Sequence, residues 1–284
     1  MNADTKFASW EDAVQWLRSQ PAQQELVRAA FYDDPLAASA LRYWQCSEWR
    51  EVQSLIGAGL GRSALDIGAG RGIASFALAK DGFAVTALEP DPSDLVGAGA
   101  IRALAIAEKL DVRVVQEVSE RLPFESMSFD IVFARAVLHH TQDLRTACAE
   151  MFRVLRPGGT LLAVREHVLS RPEHLSRFLE AHPLHKLYGG EHAYLIKNYY
   201  AALADAGFVV TTLKSFDSPI NYFPHTDDGL REKLLHPLRR VPGARSLARA
   251  VIAPRPVFSA ILRLLSLLDG RPGRLYSFIC KKPA

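Results

Sequence analysis

The stretch Asp66-Ile67-Gly68-Ala69-Gly70-Arg71-Gly72 sets three glycines at alternate positions, two residues after an acid. Glycines so spaced mark a loop that turns sharply and lets its backbone come close to something else. The dinucleotide fingerprint G-x-G-x-x-G does not fit, because counting from Gly68 and Gly70 its third glycine falls on Ile73. The acid argues the same way: a carboxylate here repels a pyrophosphate and suits a ligand with a positive centre and an amino group. A second set of reactive side chains lies further on. His139 and His140 follow the run FARAVL, and Glu166 and His167 follow TLLAVR. Imidazoles titrate near neutrality, so His139 and His167 are candidates for taking a proton from an acceptor hydroxyl, with Glu166 beside them.

Short apolar runs alternate with helical patterns around these residues. SALDIG, AVTALEP, VRVVQEV, FDIVFARAV and TLLAVRE read as strands. GIASFALAKDG, IRALAIAEKL and DLRTACAEMFRVL read as the helices between them, the last stopped at Pro157-Gly158-Gly159. Such alternation predicts βαβ units and a Rossmann-like, doubly wound, mostly parallel seven-stranded sheet, whose ligands bind at the carboxyl ends of the strands. LIKNYYAALADAG and FVVTTLKSF continue the pattern, and RLYSFICKK returns as the final strand. Residues 1–60 are expected to form a helical cap, with Ser9 as an N-cap answered by Asp12 and one helix running from Pro35 to Ile56. The expected divisions are cap 1–60, core 61–230, basic helical insertion 231–272 and final strand 273–284.

Taken together these motifs resemble the class I S-adenosylmethionine-dependent methyltransferases, in a methyltransferase-11 or -25-like form, over roughly residues 61–213. The resemblance rests on the glycine loop, on Glu89 at the end of the second strand, on SERLPFESMSFDIVFARAVLHH and on VLRPGG, in that order. It implies S-adenosylmethionine as cofactor, held by Asp66, Gly68, Ala69, Gly70 and Gly72, with Glu89 and the adjoining Pro90 at the ribose. Paired carboxylate oxygens suit a vicinal diol. Where the family often carries an acid for the adenine amino group this chain has Val118, followed by Ser119. Ser119, Glu117 and Glu120 all stay open as the contact. Arg135 is expected either to face the cofactor or to pair with an acid at the rim, and His140 either to pack near the methionine end or to act in catalysis.

Methyl transfer from a sulfonium is an in-line displacement with an activated donor, so the protein's main tasks are positioning the acceptor and excluding water. The segment AHPLHKLYGGEHAY reads as a lid whose His185, Tyr188, Glu191 and His192 suit a hydroxyl-rich acceptor, and Phe31 or Tyr32 as a shield over the sulfonium. A saccharide or lipid-linked glycan is the leading acceptor, and a small natural product or quinone the alternative. The histidine spacing in the lid matches no metal signature, so no metal is expected. An oxidoreductase is disfavoured by Ile73, and an inert cofactor-binding regulator by the presence of Asp66, the glycines and Glu89 together.

The bulk properties agree. With 284 residues, 49% hydrophobic and 23% charged, the chain can bury a large core unaided. Cys46, Cys148 and Cys280 lie far apart, which fits a reducing, cytoplasmic setting. The start shows no basic stretch followed by an apolar run. Residues 231–274 carry ten Lys or Arg against two acids in a chain whose net charge is only +3. That segment is either a solvated cap or a peripheral contact with the inner face of an anionic membrane. Its aromatics do not interleave with its basic residues, so nucleic acid is not an expected partner.

Overall fold

The computed structural model describes residues 7, 9–59, 61–181, 192–240 and 243–284. Helices α1 (Trp10–Ser19), α2 (Gln24–Ala29), α3 (Leu36–Trp44) and α4 (Ser47–Ile56) lead into an alternating core. The core runs β1 (Ser63–Ile67), α5 (Ile73–Lys80), β2 (Ala84–Leu88), α6 (Ala98–Glu108), β3 (Val112–Val115), β4 (Phe129–Arg135), α7 (Leu144–Val154) and β5 (Leu155–Leu169). After it come α8 (His174–Ala181), β6 (Tyr194–Leu195), α9 (Ile196–Asp205), β7 (Val209–Leu213), α10 (Pro219–Tyr222), α11 (Asp227–Leu235), α12 (Ala244–Ile252), α13 (Arg255–Leu268) and β8 (Arg274–Lys281).

The strands form one sheet in the order β3-β2-β1-β4-β5-β8-β7. All pairings from β3 to β5 are parallel, and β8 runs antiparallel between β5 and β7. The sheet has eight strands rather than the expected seven, because the two-residue β6 pairs with Val168 and Leu169 where β5 runs on beyond its neighbours. Chain order reverses between β1 and β4, which opens the crevice where ligands of such sheets lie.

Strand alternation sends side chains to two cores. Val132 and Ala134 of β4, with Leu161 and Ala163 of β5, pack with Cys148 and Met151 of α7. Ile131 and Phe133, with Leu162 and Val164, face the other way toward Tyr43, Trp49 and Val52 of the cap. The N-terminal helices are therefore part of the sheet's second covering layer.

Two local expectations change. The single helix from Pro35 to Ile56 is two helices, broken at Gln45 and Cys46, where the Cys46 Sγ accepts from the Trp49 N–H and caps α4. The break turns Tyr43 and Trp49 fully inward and leaves Leu41 40% exposed. The Pro157-Gly158-Gly159 turn is an excursion between paired residues: Phe129 pairs with Leu155, and Ile131 with Thr160. The Ser9 cap forms as expected, its Oγ accepting from the Asp12 N–H at 3.1 Å. Helix α11 crosses the division expected at residue 230.

A buried charge cluster fastens cap to sheet. Glu48 of α4 is wholly buried, accepts from Arg135 Nε at 2.6 Å and Nη2 at 3.0 Å, and lies 3.5 Å from Arg165 Nη1. Tyr43 donates its hydroxyl to the same carboxylate at 3.1 Å. Burial alone would raise the Glu48 pKa, but Arg135 and Arg165 hold it below the ordinary carboxylate value. Removing one member of such a cluster strands the others' charge in a poorly solvating interior. Glu48→Ala is therefore expected to lower unfolding free energy by about 3–5 kcal/mol in a denaturant titration. A loss below about 1 kcal/mol, the scale of an exposed pair, would contradict this placement.

Candidate functional site

The glycine loop leaves β1 at the crevice and needs its glycines for two different reasons. Gly68 and Gly72 both have left-handed backbones, with φ of 60° and 81°. A Cβ at Gly68 would stand 2.7 Å from Val137, and one at Gly72 would stand 3.2 Å from Ile101. At these two positions the close approach is made by the protein itself. Gly70 is left-handed as well, with φ of 55°, but the nearest atom to its hypothetical Cβ is the Val96 carbonyl at 3.9 Å.

The loop is flanked by buried carboxylates. Glu89 accepts from the Gly70 N–H at 2.7 Å and from the Asp91 N–H at 3.0 Å, so it ties the loop to the end of β2. Asp66, 1% exposed, accepts from the Ser75 hydroxyl at 2.6 Å. Burial, aided by the charge of Glu89, pushes the Asp66 pKa up to about 7 against the pull of Ser75, and burial raises Glu89 as well. Among the described residues neither acid is in an ion pair. Such a donor set fits a ligand that brings a cationic group to Asp66 and hydroxyl donors to Glu89. Ala69 is buried and its N–H donates to the Leu88 carbonyl, while Pro90 is exposed.

The cap reaches this loop through Arg71. Its guanidinium donates to the Phe31 and Asp33 carbonyls, both at 3.1 Å, and to Asp34 at 2.5 Å. Phe31 is buried and stacks on Phe223 at 5.6 Å. Tyr32 is half-buried beside Trp10, with ring centroids 6.3 Å apart, in a cluster that includes Val96 behind Gly70.

Of the adenine candidates, Val118 is 44% exposed and Ser119 is buried. The Ser119 hydroxyl donates to Glu120, which also accepts from the Gln142 N–H at 2.8 Å. Glu117 is taken up by Arg121 and the Val118 N–H. Of the two expectations for Arg135 the structure shows the acid pairing: the Nε–Nη2 edge of its guanidinium is engaged by the buried Glu48.

Where β4 ends beside the distal part of β5 the structure gathers the four predicted catalytic residues. His139 Nδ1 lies 2.7 Å from Glu166 Oε2, and the His139 ring centroid is 4.2 Å from His140 and 4.9 Å from His167. Glu166 is wholly buried and also accepts backbone N–H groups from Val137, Leu138 and His139. These bonds occupy both of its oxygens, so Glu166 orients its neighbour and is not itself poised as a base. Burial, with the nearby His192, pushes the His139 pKa down to about 3. A neutral ring donating from Nδ1 to Glu166 keeps Nε2 as the acceptor. His167 sets its Nδ1 2.7 Å from the Gly273 carbonyl, and His140 is exposed.

A one-residue bulge makes this arrangement. In the pairing with β8, Ala163 faces Phe278 but Glu166 faces Tyr276, so β5 spends three residues where β8 spends two. Arg165 absorbs the extra residue with φ of 58°. The parity change turns Glu166 toward the core of Ala163 and Val168, while Arg165 points to the cap side of the sheet, where it approaches Glu48 and donates to the Ile220 carbonyl of α10 at 2.7 Å. His192 is half-buried with its ring 4.6 Å from Tyr194, and Tyr194 donates to the Thr141 carbonyl beside the cluster. His182, His185, Tyr188 and Glu191 lie outside the described residues. Among the described residues no group of His, Cys, Asp or Glu could hold a metal.

Sequence reasoning missed Glu48, Arg71 and Arg165. A signal for Glu48 existed: it shares the buried stripe of α4 with Val52 and Ile56 at four-residue spacing, and a charge on such a stripe demands a partner.

A family model described as a methyltransferase domain matches residues 65–163. The chain is 29% identical over 171 residues to O-methyltransferase resE of Aspergillus sclerotiorum, covering 58% of this chain and 64% of that one. It is 30% identical over 154 residues to demethylmenaquinone methyltransferase of Tropheryma whipplei, covering 52% and 57%. The chain thus spans under two thirds of the length of these curated relatives. Its fold is shared with geranyl diphosphate C-methyltransferase of Streptomyces coelicolor, solved with Mg2+, geranyl diphosphate and S-adenosyl-L-homocysteine. That likeness has a TM-score of 0.55 at 16% identity, covering 98% of this chain and 99% of the other.

The raised Asp66 pKa gives the cofactor's binding a pH dependence of definite sign. A cationic ligand favours the ionised carboxylate, and Asp66 is largely protonated below about 7 in the free protein. Affinity for S-adenosylmethionine is therefore expected to rise as pH rises through 7, with proton release on binding, and Asp66→Asn to flatten the curve. Calorimetry in buffers of different ionisation enthalpy reads both. An affinity that rises as pH falls would contradict the assignment.

Proposed function

Taking as premise that residues 65–163 are a class I S-adenosylmethionine-dependent methyltransferase domain, we propose that the chain methylates an oxygen of a lipid-borne acceptor. The observation that carries this is the placement of two complementary sets of groups at the ends of adjacent strands. Asp66 near the end of β1, the glycine loop and Glu89 just past β2 make one set, and His139, just past β4 and held by Glu166 of the distal part of β5, makes the other.

The cofactor would be held by Asp66, by the loop from Gly68 to Gly72 and by Glu89, with Ser119 near the adenine. When bound it supplies an electrophilic methyl group on a sulfonium. The chain's own residues do the rest. The Arg71 anchor holds the 31–34 loop near the site and helps to exclude water. Glu166 fixes the His139 tautomer, and His139 Nε2 receives the hydrogen of the acceptor hydroxyl. A pKa pushed down to about 3 makes His139 a weak base, which suffices only because the methyl donor is already activated.

Two acceptor classes meet this description. A ring hydroxyl of an isoprenoid quinone precursor is favoured by the likeness to a ubiquinone biosynthesis O-methyltransferase of Rhizobium leguminosarum, 31% identical over 137 residues. A lipid-linked saccharide is favoured by the polar residues His185, Tyr188, Glu191 and His192. Methyl-labelled cofactor offered with each class tests the reading. Label on an acceptor oxygen is expected from one of them. Tight cofactor binding with no label on either would overturn the proposal. His139→Ala is expected to lower kcat by about 100-fold or more while leaving cofactor affinity unchanged. A kcat within threefold or so of the parent would remove His139 from the mechanism.

A further inference from the structure

The helices between residues 227 and 268 present a face that the fold does not use. On its inner side α13 packs Phe258 and Leu262 against Tyr222 and Leu230, and Ser266 accepts from the Phe216 N–H at 2.8 Å. Its outer side is apolar too. Val257, Leu264, Leu267 and Leu268 are 38%, 55%, 67% and 73% exposed and recur at helical spacing along one face. On α12, Leu247 and Val251 stand four residues apart at 70% and 54% exposure. Half of the large hydrophobic side chains exposed among the described residues thus fall within two helices, which makes a patch rather than scatter.

The charge around the patch selects its occupant. Residues 227–268 carry eight Lys or Arg against three acids, one of which, Glu232, is already held by Arg245 at 2.6 Å and Arg249 at 2.5 Å. A hollow of about 500 Å3 where α11 and α12 meet is lined by Lys233, His236, Arg239 and Arg245 beside that acid. Two copies of so basic a surface repel each other, whereas an anionic bilayer attracts it. No single helix among the described residues is long and apolar enough to cross a membrane, and α12 and α13 meet at a bend of 97°. Short amphipathic helices with arginines beside leucines lie along an interface.

We propose that α12 and α13 dock the protein on an anionic lipid surface, their outer Leu and Val side chains among the acyl chains and the arginines against headgroup phosphates. The basic hollow takes one such phosphate. The proposal deepens the reading of a lipid-borne acceptor, since docking brings the enzyme to the phase that holds it. Its physical claim is tested without acceptor or cofactor.

The experiment is co-sedimentation of the full chain with vesicles of phosphatidylcholine alone or mixed with phosphatidylglycerol. Binding to the anionic vesicles about tenfold or more above the neutral ones, falling with added salt, is expected. L264E/L267E and, separately, R240E/R263E should each cut that binding about tenfold while thermal unfolding and cofactor affinity stay at parental values. All four side chains are exposed, so the variants should fold. Equal binding to both vesicle types, or parental binding by both variants, would overturn the proposal. So would failure to bind vesicles by a protein that sediments as a dimer and is made monomeric by L264E/L267E, which would assign the face to self-association. Loss of methyl transfer with intact vesicle binding would count against the acceptor reading alone.

Discussion

The buried Glu48 carboxylate is the constraint on which the rest depends. It is the point where the N-terminal helices, the end of β4 and the end of β5 all meet, through Tyr43, Arg135 and Arg165. Two guanidiniums cannot be left without an acid in an interior that solvates charge poorly, so α4 has little freedom to sit anywhere else. Asp81 at the end of α5 adds a second fastening, accepting from the indole N–H groups of Trp44 and Trp49 at 2.7 and 2.9 Å. With the cap so fixed, the 31–34 loop falls within reach of Arg71, and a residue of the glycine loop becomes a clasp for the cap. Cofactor loop and roof are in this way one mechanical unit.

The same economy appears in β5. Arg165 and Glu166 are adjacent in sequence and opposite in charge, and regular alternation would send them to opposite faces with Glu166 on the cap side. The bulge reverses the parity, so that Arg165 neutralises Glu48 and Glu166 is delivered to His139. Had Glu166 joined Glu48 on the cap side, two buried acids would share the arginines and the histidine cluster would lose its only carboxylate among the described residues.

Much of this was legible in the chain before any coordinates, and the reasons are physical. Short apolar runs bounded by glycine and proline marked the core strands, and D-x-G-x-G-x-G with Glu89 put two carboxylates at the strand ends. His139, Glu166 and His167 were legible as a group because strands four and five must end side by side. What escaped detection depends on pairings that have no local signature. The break at Gln45 and Cys46 needs a cysteine cap, a weaker signal than Ser or Asp. The bulge at Arg165 is visible only against β8, more than a hundred residues away. Arg135 looked equally suited to cofactor or acid until Glu48, 87 residues earlier, supplied the partner. At two of the three glycines the close approach is made by Val137 and Ile101 of the chain itself.

Glu89 shapes the glycine loop at the crevice between β1 and β4, and in the proposed function it also receives S-adenosylmethionine there. Calorimetric titration of that cofactor into the parent protein and into Glu89→Gln tests it most directly. Saturable binding by the parent and an affinity weakened about 10- to 100-fold in the variant are expected, the scale of hydrogen bonds lost from a charged acceptor. Equal affinity in the two folded proteins, or NADH binding in place of S-adenosylmethionine, would contradict it.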